Sequence, residues 1–146
     1  MTQFSIRPAR GGDEPIVLSL LRALAEYEKL LDKFHIDESV IRRDYLSERP
    51  LIHCALLYAG DTAIGIATWY WAYASFAAKR VVFLEDLFVL PASRGSGGGK
   101  KLLAHLARIA IEAGADGVEW RVLPWNKPTI DIYERIGAKH NDEWLV

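Results

Sequence analysis

Residues 94–101 read Arg-Gly-Ser-Gly-Gly-Gly-Lys-Lys and join an apolar run typical of a strand, residues 81–90, to an apolar-periodic helix that begins near Leu102. Four glycines in five positions let the backbone approach a ligand closely, and the first amides of a helix lack carbonyl partners. Lys100 and Lys101 oppose the positive end of the helix dipole, which favours a bound polyanion. The junction therefore predicts a phosphate-bearing ligand, with a mobile surface loop as the alternative.

The spacing of this loop disfavours two common nucleotide sites. A nucleoside-triphosphate loop needs four residues between its first glycine and Gly-Lys, followed by a hydroxyl residue. Here only three residues separate Gly95 from Gly99, and Lys101 stands where the hydroxyl belongs. The dinucleotide pattern also fails, because Lys100 occupies the position of its third glycine. The pattern that remains is Arg94-x-x-Gly97-x-Gly99.

This remaining pattern resembles the pyrophosphate loop of the GCN5-related N-acetyltransferases (GNAT), which follows the fourth strand and holds coenzyme A. Further motifs, in order along nearly the whole chain, look like those of the diamine, or spermidine/spermine, N-acetyltransferase branch of that superfamily. They are Tyr27-Glu28, Leu84-Glu85-Asp86, Phe88-Val89, Trp125-Asn126, Pro128, Tyr133 and Gly137-Ala138. The resemblance implies an acetyl-CoA-dependent N-acetyltransferase and a homodimer.

Composition bounds the class of protein. With 146 residues, of which 51% are hydrophobic, we expect residues 1–146 to form one domain with a sizeable core. The net charge of −1 gives no general attraction to nucleic acid or anionic lipid. Cys54 is the single cysteine, so no internal disulfide or zinc site is expected, nor any other metal. Without a leader-like or membrane-length apolar segment, a cytoplasmic location is expected.

Periodicity predicts a mixed α/β fold with about four flanking helices. Predicted strands lie near residues 4–6, 51–59, 62–73, 80–90, 117–123 and 144–146, and predicted helices near residues 14–31, 37–47, 102–113 and 126–136. The helix between the fourth and fifth strands makes one crossover, so those two strands should pair in parallel within a mixed sheet. Ligands bind beyond the carboxyl ends of such strands, where the glycine loop lies.

The resemblance implies more about the cofactor site. It implies that strand four carries a bulge and splays from strand five, so that acetyl-CoA inserts between them. The implied cofactor contacts are Leu87, Phe88, Val89, Arg94, Gly95, Ser96, Gly97, Gly98, Gly99, Lys100, Asn126, Thr129 and Arg135. For Asn126, capping of the last helix alone is an equally good reading.

The acceptor amine must lose a proton before it can attack, because its pKa near 10.4 keeps it protonated at neutral pH. Glu85 and Asp86 end a hydrophobic strand, and strict alternation would send them to opposite faces. The resemblance assigns Glu85 as the group that holds the ammonium and relays its proton through water. The alternative is that the pair only bonds nearby lysines.

Tyr133 matches the position of the family's general acid, where it would donate to the departing thiolate. Its helical spacing from Thr129 is equally typical of a core aromatic. The chain shows no Ser/His/Asp or Cys/His arrangement, which favours direct transfer in a ternary complex over an acyl-enzyme.

Tyr27, Glu28, Glu85 and Asp86 would form an acidic, aromatic site suited to a small cationic amine. We therefore expect a polyamine, a diamine or a lysine-like amino acid as acceptor. The alternatives are acetylation of protein N-termini or lysines, and a coenzyme A-binding sensor without catalysis. Glu28 by itself is equally typical of a solvated helix residue. The aromatic strand 69–73 would serve the core or a dimer interface.

Overall fold

A computed structural model describes residues 3–143 and contains one five-stranded sheet with four α-helices. The strands lie in the order β1-β2-β3-β4-β5, all antiparallel except the β4–β5 pair. The elements are β1 (Phe4–Pro8), α1 (Glu14–Tyr27), α2 (Glu38–Asp44), β2 (His53–Ala59), β3 (Thr62–Ala74), β4 (Lys79–Val89), α3 (Gly98–Glu112), β5 (Val118–Trp120) and α4 (Lys127–Arg135). The predicted mixed α/β class is confirmed, whereas the predicted strand 144–146 lies outside the described residues.

The sheet separates two hydrophobic cores. On the first face, α1 and α2 cover a core that includes Val17, Leu20, Leu24, Ile41, Leu56, Ile66 and Phe88. On the second face, α3 covers a core that includes Leu57, Trp69, Val82, Leu84, Leu102, Leu106 and Ala110. We call these the α1 face and the α3 face. Trp69 is thus a core residue, whereas Tyr73 in the same strand is exposed.

Helix α1 ends at Tyr27, four residues before the predicted end at Leu31. The amide of Leu30 donates to the carbonyl of Ala25, and the amide of Lys29 donates to Glu26, which together form a Schellman motif. This motif requires a left-handed residue, and Lys29 adopts it with φ of 60° although it is not glycine. The early stop leaves Tyr27 and Glu28 at the helix end, beside the sheet.

Strand β4 contains the bulge that the resemblance implies. Thr68 pairs with Asp86 and Trp69 with Leu84, so Glu85 is the extra residue of β4. Leu84 and Leu87 both pack on the α3 face. Two residues between them therefore lie toward the α1 face, and the expectation that Glu85 and Asp86 point to opposite faces is wrong.

Strands β4 and β5 diverge beyond this bulge. They pair over three positions only, from Val82 with Val118 to Leu84 with Trp120, and β5 ends there instead of at the predicted residue 123. Strand β4 continues to Val89. The edge of β4 that faces β5 is therefore unpaired by β5 after Leu84, as the resemblance to a splayed sheet implies.

Candidate functional site

The glycine loop joins the carboxyl end of β4 to the first turn of α3. Gly95 and Gly97 have φ of 83° and 89°, a conformation that side chains other than glycine rarely adopt. A Cβ at Gly98 would lie 2.7 Å from a methyl carbon of Leu57, so this glycine lets α3 pack against β2. Gly95, Gly97 and Gly99 have open space where a Cβ would be. The loop therefore presents accessible backbone at a helix N-terminus.

Helix α3 begins at Gly98, four residues before its predicted start. The amide of Lys101 bonds the carbonyl of Gly97 at 3.1 Å, while the helix offers no carbonyl to the amides that precede it. Lys100 and Lys101 lie in the first turn, as predicted. The hydroxyl of Ser96 donates to the carbonyl of Ser93 and braces the turn before the helix. This arrangement can bind an anion through backbone N–H groups.

Arg94 does not point into the loop. Its Nε donates to the carbonyl of Val89 at 3.0 Å. Its guanidinium carbon lies 4.4 Å from the centre of the Tyr27 ring and 5.3 Å from that of Phe88. Arg94 thus connects the unpaired end of β4 with a predicted acceptor residue, Tyr27.

Glu28, Glu85 and Asp86 form an acidic cluster on the α1 face. Burial raises the pKa of the Glu28 carboxyl, and the charges of Asp86 and Glu85 raise it further. Burial also raises the pKa of Asp86, although the Thr68 hydroxyl that donates to it opposes this rise. Because a like charge raises a pKa only from nearby, the action of Asp86 and Glu85 on Glu28 indicates that the three predicted acceptor carboxylates lie near one another. Such a cluster favours a bound cation.

Tyr133 lies in the last turn of α4 and packs against β5. Its ring centre is 5.0 Å from that of Trp120, in an edge-to-face contact. Burial raises the pKa of its hydroxyl to about 12, and the charge of Glu28 contributes to the rise. Tyr133 therefore lies within electrostatic reach of Glu28 and stays protonated at neutral pH. Its packing agrees with the interpretation as a core aromatic, and its role as general acid stays a prediction.

Asn126 precedes α4 but its side chain makes no capping hydrogen bond, so the predicted capping role is wrong. The residue is buried, and its Oδ1 accepts a long hydrogen bond of 3.5 Å from the Tyr27 hydroxyl. Thr129 is half-buried in the first turn of α4, whereas Arg135 is exposed in the last. Within residues 3–143 no hydrogen bond or ion pair joins Arg135 to the glycine loop.

The structure adds residues that the sequence did not single out. Tyr45 follows α2, and burial together with the charge of Asp86 raises the pKa of its hydroxyl. Arg121 follows β5, and its Nη2 lies 3.3 Å from Oε2 of Glu85. Thr68 is fully buried beneath Asp86. The signal for Thr68 was a polar residue in an otherwise apolar strand, and the signal for Arg121 was a cation directly after a strand that ends at the site.

An open cavity of about 870 Å³ lies beside β5 and α4, and Arg121 and Tyr133 are among the residues that line it. Its wall combines aromatic and charged side chains, among them Tyr70, Phe83, Trp120, Arg121 and Tyr133. Within residues 3–143 no group of three or more His, Cys, Asp and Glu side chains is placed to hold a metal ion. Nor is any helix there both long and apolar enough to cross a membrane.

Comparison with known proteins supports the resemblance. A sequence model of the Acetyltransferase (GNAT) family matches residues 18–138. The thialysine N-epsilon-acetyltransferase of Sus scrofa is 34% identical over 95% of this chain and 86% of its own length. The spermidine/spermine N(1)-acetyltransferase-like protein 1 of Homo sapiens is 33% identical over 94% of this chain and 21% of its own length.

A solved structure also has this fold. The aminoglycoside N-acetyltransferase AAC(6')-Iy, in complex with CoA, superposes with a TM-score of 0.75 and 20% identity. The match covers 100% of this chain and 94% of that chain. At this identity the likeness concerns the fold, and it extends over the sheet and helices that frame the site.

Proposed function

Because this chain belongs to the GNAT family of acetyltransferases, we propose that it moves the acetyl group of acetyl-CoA to a primary amine of a small cationic acceptor. The acceptor is a polyamine, a diamine or a lysine-like amino acid. The observation that carries this proposal is the acidic cluster in which the charges of Glu85 and Asp86 act on Glu28, and the charge of Glu28 acts on the Tyr133 hydroxyl. The names of two relatives refer to small amines, thialysine in one and spermidine or spermine in the other, and this supports the proposed class of acceptor.

The glycine loop would hold the diphosphate of coenzyme A. Its backbone is open at Gly95, Gly97 and Gly99, so a ligand can approach without meeting a side chain. The unpaired edge of β4 beyond Leu84 offers backbone groups to the pantetheine arm, including the Val89 carbonyl that now accepts from Arg94. Arg94 would exchange this hydrogen bond for a phosphate contact when the ligand binds.

The reaction forms an amide C–N bond and breaks the thioester C–S bond. At neutral pH an alkylammonium must first lose a proton, which costs about 4–5 kcal/mol for a pKa near 10.4. The acidic cluster would attract and orient the ammonium, and Glu85 would pass its proton to water. Glu85 suits this relay because it is the bulge residue and is more exposed than Asp86. Asp86, held by Thr68, would chiefly bind and orient.

Tyr133 would assist the departing thiolate. A thiol of this kind has a pKa of about 8.5. The Tyr133 hydroxyl, with its pKa raised to about 12, is a weaker acid than the thiol, so complete proton transfer to the sulfur is uphill. Donation of a hydrogen bond as charge develops on sulfur is therefore the better supported role.

Direct transfer is favoured over an acyl-enzyme. The single cysteine, Cys54, is buried, and burial raises the pKa of its thiol to about 12. A thiol of this kind carries almost no thiolate at neutral pH and is a poor nucleophile. The acetyl group would then pass straight to the amine within a ternary complex.

The test is turnover of purified protein with acetyl-CoA and a panel of polyamines, diamines and diamino acids, followed by release of free thiol. We expect Glu85→Gln and Tyr133→Phe to reduce turnover while coenzyme A still binds. Tyr73→Phe, the same change at an exposed tyrosine, is the matched control and should keep full activity. Turnover on peptides alone would show a protein acetyltransferase, and coenzyme A binding without any turnover would show a sensor.

A further inference from the structure

Arg121 is a cation placed against the acidic cluster. It follows β5, and its Nη2 lies 3.3 Å from Oε2 of Glu85. Its guanidinium carbon lies 5.3 Å from the centre of the Phe83 ring, which supports the side chain from one side. Both Arg121 and Phe83 line the 870 Å³ cavity, together with Tyr133. The guanidinium therefore lies on the wall of a cavity that also contains the Tyr133 side chain, and it contacts Glu85.

The ion pair with Glu85 uses only one nitrogen of the Arg121 guanidinium as a hydrogen-bond donor. Arginine has five N–H donors in a planar fork and binds carboxylates best in a bidentate arrangement. The contact with Glu85 is a single, long one, and the Arg121 side chain is 61% exposed. One edge of the guanidinium can therefore keep Glu85 while the other edge takes a second carboxylate from solution.

Two cations on the α1 side of the site, Arg94 and Lys29, are engaged elsewhere. The Arg94 guanidinium lies over Tyr27 and bonds Val89, and the ammonium of Lys29 lies 5.7 Å from the centre of the Trp125 ring. Asp86 and Glu28 are both half-buried, and burial is the main cause of the raised pKa of each carboxyl, with nearby carboxylates adding to it. Arg121 places a positive charge beside Glu85, at the edge of this cluster. The site is thus not uniformly acidic.

A diamine and a diamino acid would interact differently with the acidic cluster and the Arg121 guanidinium. Each presents one ammonium to the acidic cluster, but the remote ammonium of a diamine would approach the Arg121 guanidinium and be repelled. A diamino acid brings an α-carboxylate to the same place, where two parallel hydrogen bonds can form. Resting on the proposed amine acetylation, we propose that Arg121 binds the α-carboxylate of the acceptor and selects lysine-like diamino acids over the matching diamines.

The experiment compares acceptors that differ only in that carboxylate. Steady-state kcat/KM is measured for lysine against cadaverine and for ornithine against putrescine, in the wild type and in Arg121→Gln. We expect the wild type to favour each diamino acid, and Arg121→Gln to reduce that preference by about tenfold or more, mainly through KM. Arg121→Lys keeps the charge without the fork and should recover part of the preference.

Arg22→Gln is the matched control. The Arg22 guanidinium also stacks on a phenylalanine, 5.1 Å from the ring centre of Phe34, but it lies on α1 outside the cavity. This control should leave the preference unchanged. Turnover with the same preference in the wild type and in both Arg121 variants would overturn the inference alone. No turnover of any of the four amines by the wild type would instead overturn the proposed function, and the inference with it.

Discussion

Replacement of Gly97 by alanine should separate the loop's contribution to folding from its contribution to binding. Gly97 has φ of 89°, and nothing lies within 4 Å of the position that a Cβ would take. The added methyl group therefore meets no neighbour, and the cost is one of backbone conformation. For an alanine in the left-handed region this cost is about 1–2 kcal/mol. The free energy of unfolding of Gly97→Ala should fall by that amount.

The effect on coenzyme A affinity should be larger than the strain alone suggests. Gly97 sets the direction of the first amides of α3 and accepts the hydrogen bond of the Lys101 amide. If the loop relaxes toward negative φ, at least one amide turns away from the diphosphate. A lost hydrogen bond to a charged group costs about 1.5–3 kcal/mol, which corresponds to an increase in Kd of roughly 10- to 150-fold.

Gly114→Ala is the matched control at the opposite end of the same helix. Gly114 also has positive φ, 65°, and open space around its would-be Cβ. Helix α3 contains 15 residues, so the two glycines flank a helix about 22 Å long. Urea unfolding should show a similar loss of stability for both variants, whereas titration calorimetry should show weaker coenzyme A binding for Gly97→Ala alone. Equal affinity in both variants would refute the assignment of the loop.

Three further outcomes are expected. Because the pKa of Tyr133 is raised to about 12, turnover should show no decline from its ionisation below about pH 11. Tyr133→Phe should lower kcat by about 100-fold. A decline in turnover near pH 9–10 that vanishes in Tyr133→Phe would contradict the argument that burial raises this pKa. In urea unfolding, Lys29→Gly should be more stable than Lys29→Ala by about 1 kcal/mol, since residue 29 has φ of 60°, and equal stability would contradict the strain. Arg7 donates to both carboxylate oxygens of Asp13, at 2.7 and 3.0 Å, and holds the pKa of Asp13 below its usual value of 3.8. The stability that this ion pair contributes is complete above about pH 4 and is lost as the pH falls through the depressed folded-state pKa of Asp13. Asp13→Asn should therefore lower the free energy of unfolding at pH 7 but little near pH 2. An equal loss at both pH values would rule out this dependence of stability on the ionisation of Asp13.

Local sequence patterns predicted much of the fold. The strand before the glycine loop and the helix after it were visible as apolar runs, and the single crossover between β4 and β5 required their parallel pairing. The Asp37 cap was also predictable, and its side chain accepts from the amide of Val40 at 2.9 Å. These features depend on neighbours in sequence, which a pattern records directly.

Features set by distant contacts were harder to predict. The early end of α1 depends on a left-handed Lys29, a conformation for which glycine is the usual signal. The bulge at Glu85 depends on pairing between β3 and β4, so alternation in β4 alone gave the wrong faces for Glu85 and Asp86. Asn126 is a good capping residue by type, yet its buried side chain faces Tyr27, ninety-nine residues away in the chain.

The site was predicted in the same uneven way. Resemblance singled out Glu28, Glu85, Asp86 and Tyr133, and in the structure the charges of Glu85 and Asp86 act on Glu28, whose charge acts on the Tyr133 hydroxyl. It gave no sign of Arg121, because the meaning of a cation after β5 depends on the position of the Glu85 bulge in another strand. The acceptor preference proposed for Arg121 follows from that three-dimensional contact.

The most direct test of the central claim is titration calorimetry of the wild-type protein with coenzyme A and, separately, with pantetheine, which lacks the diphosphate together with the adenosine 3′-phosphate. If the backbone of the glycine loop holds the diphosphate, coenzyme A should bind saturably at one site per chain, and pantetheine should bind at least about 100-fold more weakly. Equal affinity for the two ligands, or no heat with coenzyme A, would contradict the claim.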